Sequence, residues 1–196
     1  MKSNKQYSNK QHQQQVLQQA LIEAQKIQDE RFLTQALIAL APQLASEHQQ
    51  ILQQQVLAIT ENIQGEEDRT QVLIALASQL ASKPDLLQHA LIITGNIPDE
   101  KYRSQALTGL APQLASEPDL LQHALTIAEN IQDEKYRVQV LTVLASQLST
   151  EPRQRVLQQA LNTAQNIQNR WSRAQALTAV APWLAGNNVN KFCNKS

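Results

Sequence analysis

The chain has 196 residues, 42% hydrophobic and 17% charged, with Lys plus Arg and Asp plus Glu equal at 17 each. Zero formal net charge and a pI near 6.9 argue against a nucleic-acid binder, which needs a basic patch for phosphate contacts. Four glycines and seven prolines are few for a β-rich fold with many turns, and the lone Cys193 can form neither an internal disulfide nor a cysteine-based metal site.

In chain order, Met1 to Gln15 is polar and Gln-rich with no apolar run, which reads as neither a signal peptide nor a membrane anchor. Residues 1–11 are expected to be a disordered polar N-terminus. No uncharged apolar stretch approaches the roughly 20 residues needed to span a bilayer, and a free thiol suits a reducing compartment. The expectation is a soluble, cytoplasmic protein.

From residue 12 to residue 185 the sequence repeats itself. One element, helix B, recurs at Val16 to Ile27, Leu86 to Ile97, Leu120 to Ile131 and Val156 to Ile167. The other, helix A, recurs at Phe32 to Ala45, Asp68 to Ala81, Tyr102 to Ala115, Tyr136 to Ser149 and Ser172 to Ala185. A shared glutamine marks the register of helix A at Gln35, Gln71, Gln105, Gln139 and Gln175, in steps of 36, 34, 34 and 36 residues. In both elements the apolar positions fall on one face of a helix of about 3.6 residues per turn, and strand-like alternation is absent. Asp99-Glu100 and Asp133-Glu134 supply capping carboxylates before helix A. Pro84 and Pro118 stand at the start of helix B, where a missing N–H costs least.

The predicted fold is all-α: about ten helices, comprising a lone B helix, four A–B pairs and a final A helix, stacked as a right-handed α-solenoid through nearest-neighbour contacts. Pro42, Pro112 and Pro182 alternate with Ser78 and Ser146 in successive A helices, pointing to duplication of a two-repeat unit. Proline so late in helix A should kink it or end it early. Residues 186–196 form a C-terminal tail.

The helix–turn–helix period of about 34 residues and the Ala-Leu-x-x-Ala-x-x-Ile pattern of Ala124 to Ile131 resemble the tetratricopeptide repeat over roughly residues 12–185. The family's Trp-x-x-Leu-Gly-x-x-Tyr signature is missing from every copy. The Leu-Ala-Pro-Gln-Leu box is closer to degenerate helical repeats of cyanobacterial-type signalling proteins. The resemblance implies a scaffold or sensor module whose A helices line a concave protein-binding groove.

On a helical wheel Gln105 lies about 150° from the core centre of its helix, and Ser104, Thr108 and Pro112 share that broad outer face. The candidate protein-binding groove is therefore Gln35, Gln71, Gln105, Gln139 and Gln175 with Thr108 and Thr142. Amides can donate to and accept from an extended peptide backbone; the alternative is that they bond one another or neighbouring carbonyls. Arg69, Arg103, Arg137 and Arg173 face the core side, where each guanidinium is expected to meet a carboxylate or the carbonyl end of helix B. His89 and His123 sit on a polar face without further ligands at metal spacing. Neither a phosphate loop nor a nucleophile–base arrangement is present, so no catalytic, cofactor or metal residues are expected. Trp171 and Trp183 stand in the last A helix in place of Tyr and Gln; with Phe192 they form a candidate terminal interface, through which the chain could self-associate. The leading expectation is a non-enzymatic scaffold for a protein or peptide. The alternatives are a helical-repeat RNA binder and a self-assembling sensor arm of a larger signalling complex.

Overall fold

A computed structural model describes residues 2–45 and 49–185. Among them are ten α-helices and no strand: α1 (Lys2–Gln25), α2 (Glu30–Leu40), α3 (Gln50–Asn62), α4 (Glu66–Ala77), α5 (Pro84–Gly95), α6 (Glu100–Leu110), α7 (Pro118–Glu129), α8 (Glu134–Ser146), α9 (Thr150–Asn166) and α10 (Arg170–Ala185). Odd-numbered helices are the B elements of the repeat and even-numbered helices the A elements. No described helix is long and apolar enough to cross a membrane. Helix α1 begins at Lys2, so the stretch expected to be disordered is helical through its described part. The 186–196 tail, with Phe192 and Cys193, lies outside the described residues.

Local chemistry sets the helix boundaries. The side chain of Asp29 accepts from the backbone N–H groups of Arg31 and Phe32, and Asp99 and Asp133 repeat this at α6 and α8. Asn169 does the same for α10, accepting from the Ser172 N–H at 3.0 Å. Each cap satisfies donors that a helix start leaves unpaired. Pro84 and Pro118 occupy the first positions of α5 and α7. The late prolines act as expected in two of three copies: α2 and α6 stop at Leu40 and Leu110, and the chain tightens into a turn of 3₁₀ helix over Ala41–Leu44 and Ala111–Leu114. The serine-bearing α4 and α8 continue as α-helix to Ala77 and Ser146. Pro182 is the exception, since α10 runs through it to Ala185.

The chain forms two compact units, the first ending at Asn96 and the second beginning at Ile97. Within the first, α2 packs beside α4, and α3 contacts both α1 and α5. Leu21, Leu37, Leu57, Leu73 and Leu91 are buried in its core. Within the second, α8 lies between α6 and α10 and also packs on α7 and α9. Leu107, Leu110, Leu141, Leu144 and Leu157 are buried there. Removing one such leucine side chain costs about 2–5 kcal/mol. In both units A helices therefore lie side by side, the arrangement that sets equivalent residues of successive copies next to one another.

Within each unit one glutamate also bonds a copy to the next. Glu30, at the start of α2, accepts from the backbone N–H groups of Gln64 and Gly65, both at 2.9 Å. Glu100 accepts from those of Gln132 and Asp133, both at 2.7 Å. The bonds from Gln64 and Gly65 hold the Glu30 carboxyl below its usual range. For Glu100, partial desolvation pushes upward, and the two backbone bonds with Arg103 and Arg137 nearby outweigh it, so this carboxyl is also lowered. Arginines bond the same loops. Arg69, Arg103, Arg137 and Arg173 donate to the carbonyls of Ile63, Ile97, Ile131 and Ile167, the last residues of the preceding B segments. Of the two partners expected for these guanidinium groups, the carbonyl end of helix B is the one they bond.

Candidate functional site

All five register glutamines are exposed. None hydrogen-bonds another group among the described residues, so neither the ladder of mutually bonded amides nor the bond to a neighbouring carbonyl forms. In the first unit Gln35 and Gln71 are brought together on a cleft of about 370 Å³ with Arg31, Thr34, Glu67 and Asp68. In the second unit Gln105, Gln139 and Gln175 stand on the adjacent helices α6, α8 and α10.

The accessible strip on α2, α4, α6 and α8 is narrower than the wheel implies. Thr34, Thr70, Ser104 and Val138, one residue before their glutamines, are buried. Thr142 is also buried, and its hydroxyl donates to the Val138 carbonyl at 2.7 Å; it does not line an open surface. Thr108 is half-buried, and its Oγ1, like those of Thr34 and Ser104, is enclosed without a hydrogen-bond partner among the described residues. The physical reason is lateral packing. It is clearest in α8, which meets α6 and α10 as well as B helices, so burial extends round both its flanks and spares only a thin stripe.

That stripe has a repeating composition. Along α6 and the turn after it, it reads Lys101, Gln105, Gly109, Pro112; in α8, Lys135, Gln139, Val143, Ser146; in α10, Trp171, Gln175, Ala179, Pro182; along α2 and the turn after it, Arg31, Gln35, Ala39, Pro42. The amide row is flanked on one side by small residues, over which a backbone can approach closely, and on the other by cations or an aromatic, except in α4, where Glu67 takes that place. The lysine row was not singled out from the sequence. Its signal is the recurring Lys-Tyr pair at Lys101-Tyr102 and Lys135-Tyr136, one helical turn before the glutamine. Lys101 Nζ lies 4.8 Å from the centre of the Tyr102 ring, and Lys135 Nζ lies 5.6 Å from Tyr136 and 4.9 Å from Trp171. These are cation–π distances.

Trp171 is 64% exposed and Trp183 39%. Twelve positions separate them along α10, about 18 Å of helix axis, so they do not share one aromatic patch. Trp171 takes the place of the lysine rather than of the tyrosine in the copy, and Ser172 takes that of the tyrosine. Phe192, the third residue of the expected terminal interface, lies outside the described residues.

The remaining polar groups sort simply. His89 is half-buried with its Nε2 3.4 Å from Glu61 Oε2, and His123 is exposed. Among the described residues, no group of three or more His, Cys, Asp or Glu could hold a metal ion. A second cleft, of about 480 Å³, lies between α8 and α9 and is lined by Glu134, Arg137, Arg155 and a run of amides. Glu134 is the register equivalent of Glu30 and Glu100, yet it makes no such bond to the following loop.

No protein-family model, no curated protein and no solved structure matches this chain.

Proposed function

We propose that the chain is a non-catalytic, tetratricopeptide-like α-solenoid of the cytoplasm that binds an extended peptide or protein segment along the stripe of its A helices. The observation that carries this reading is the glutamine row: five equivalent amides, all exposed and all without a hydrogen-bond partner among the described residues. An exposed primary amide supplies two donors and an acceptor, the complement of a peptide backbone. Within each unit, repetition presents that complement again on the neighbouring A helix. The small residues beside it (Ala39, Gly109, Val143, Ala179) leave room for a main chain. The amides contribute no charge, which fits recognition of backbone more than of phosphate.

The test is selection of displayed peptides against the intact chain, counter-screened with the Gln105→Ala/Gln139→Ala variant. Selected peptides should bind the parent chain at least about tenfold more tightly than the variant. Unchanged affinity in the variant would overturn the glutamine row as the binding element. Tighter binding of a single-stranded RNA than of every selected peptide would favour the RNA-binding alternative.

A further inference from the structure

We propose that the first unit takes a basic side chain of its bound segment, an arginine, into the cleft between α2 and α4. The inference rests on the peptide-binding reading above and names the chemistry of the partner. It starts from the cleft of about 370 Å³ lined by Arg31, Thr34 and Gln35 of α2 and by Glu67, Asp68 and Gln71 of α4.

Four observations meet there. First, both register glutamines of this unit line the cleft, so a main chain held by their amides passes over it. Second, the lining is acidic. It holds one cation, Arg31, against the carboxylates of Glu67 and Asp68, and among the described residues neither Arg31 nor Asp68 forms an ion pair. The helix starts around it (29–33 and 65–69) hold five Asp or Glu against two Lys or Arg, and one of those two, Arg69, is turned onto the Ile63 carbonyl. Third, a further carboxylate converges on Asp68. A Cβ at Gly65 would stand 2.7 Å from Asp68 Oδ2 and 3.3 Å from Glu30 Oε2. Glu30 gives its oxygens to the Gln64 and Gly65 N–H groups, yet its charge adds to that of Asp68. Fourth, Thr34 is only 2% exposed, and its Oγ1 has no hydrogen-bond partner among the described residues. A buried hydroxyl left without a partner is costly, and a donor seated in the cleft would relieve it.

The groups that line the cleft are chiefly acceptors: two carboxylates, two amide oxygens and a hydroxyl oxygen. A guanidinium brings five N–H donors in one plane and a permanent positive charge, against the three donors of an ammonium. Arginine therefore matches the acceptor set better than lysine. Arg31 opposes a cation, but it belongs to the α2 wall while both carboxylates belong to α4, so it directs the incoming guanidinium towards α4. A metal ion is a poorer occupant, since among the described residues no group of three or more His, Cys, Asp or Glu could hold one. Nucleic acid is disfavoured by sign, because its phosphates would meet Glu67 and Asp68.

The test uses fluorescence anisotropy on the full chain. The probe is a fluorescein-labelled peptide containing Ala-Pro-Ala-Arg-Ala-Pro-Ala. Controls replace the Arg by its uncharged isostere citrulline, by Lys or by Glu. The Arg peptide should bind about tenfold more tightly than the citrulline peptide at low ionic strength, with the gap closing as salt rises. Glu67→Gln/Asp68→Asn should abolish that gap, and Arg31→Ala should widen it. Equal binding of the Arg and citrulline peptides would overturn the proposal. So would an undiminished gap in Glu67→Gln/Asp68→Asn, a gap that narrows in Arg31→Ala, or tighter binding of the Lys than of the Arg peptide. If all four peptides bind alike and lose affinity in Gln35→Ala/Gln71→Ala, the glutamine row stands and the arginine site falls. If no peptide binds the folded chain, both fall.

Discussion

The two units solve the same joint problem with different residues, and the difference separates what a repeat needs for packing from what it can vary. In the first unit the C-terminal ends of A helices are tied by a buried amide. Gln53 is fully buried, donates to the carbonyls of Leu44 and Gln79, and accepts from Lys83 Nζ at 2.9 Å. Leucine fills the equivalent B-helix position at Leu17, Leu87, Leu121 and Leu157. In the second unit the half-buried Arg153 serves instead, donating to the carbonyls of Ala145, Ser146 and Leu148. The helix starts differ as well: Glu66, Glu67 and Asp68 open α4, whereas Lys-Tyr pairs follow the caps of α6 and α8. Carbonyl ends must be satisfied in either unit. The sign of the charge at the exposed helix starts is under no such demand, and there the units diverge.

The sharpest break of this comparison is Gln53→Leu. It installs the residue found in the other copies but strands two carbonyls and removes an acceptor from Lys83. A loss of about 2–4 kcal/mol is expected, read by urea unfolding, with faster amide exchange in α2–α4 than in α8–α10. Arg153→Met should cost less, about 1–2 kcal/mol, since water can reach the carbonyls it leaves. Equal losses at the two sites would mean that burial does not distinguish the two ties. Smaller still is the effect of Glu30→Gln or Glu100→Gln, below about 1 kcal/mol each at neutral pH because both side chains are largely solvated. These carboxyls are lowered in the folded chain, so their contribution is full above the unfolded Glu value of about 4.3. It is lost as pH falls through the lower folded value. The double variant should show a shallower acid loss of stability than the parent chain; an unchanged acid slope would refute the link. Last, Ser82 carries a positive φ of 60° in the turn between α4 and α5, which only glycine adopts without steric cost. Ser82→Gly should stabilise by about 0.5 kcal/mol, seen as a small rise in the denaturation midpoint.

Periodicity made the helices, their number and most of their caps legible. The recurring Gln, Arg and Asp-Glu positions each had one direction on a wheel, and the structure exposes the glutamines and turns the arginines onto helix-B carbonyls. What a wheel cannot carry is the neighbour on either side. Thr142 sits among outer positions of α8, yet α6 and α10 flank that helix and the residue is buried. The second role of Glu30 and Glu100 was hidden for a related reason. A carboxylate at a helix start looks like a cap, and only the fold brings it to a loop one copy further on. Gln53 was hidden because a single polar residue in a leucine column breaks the pattern that reveals everything else. The lysine row was visible as a Lys-Tyr recurrence, but only the fold sets its charges over tyrosine and tryptophan rings.

The glutamate bridges span 34 and 35 residues from Glu30 and 32 and 33 from Glu100. A contact that closes a loop of one repeat carries a modest chain-closure cost, because that cost grows only with the logarithm of loop length. Within a unit, each new copy can therefore dock onto its predecessor as soon as it is made, without waiting for distant sequence. Such order suits vectorial folding during synthesis. Under an end-to-end pull each bridge would hold one copy onto the next until it released, so Glu30→Gln and Glu100→Gln should each lower the force of one step in a trace of the full chain.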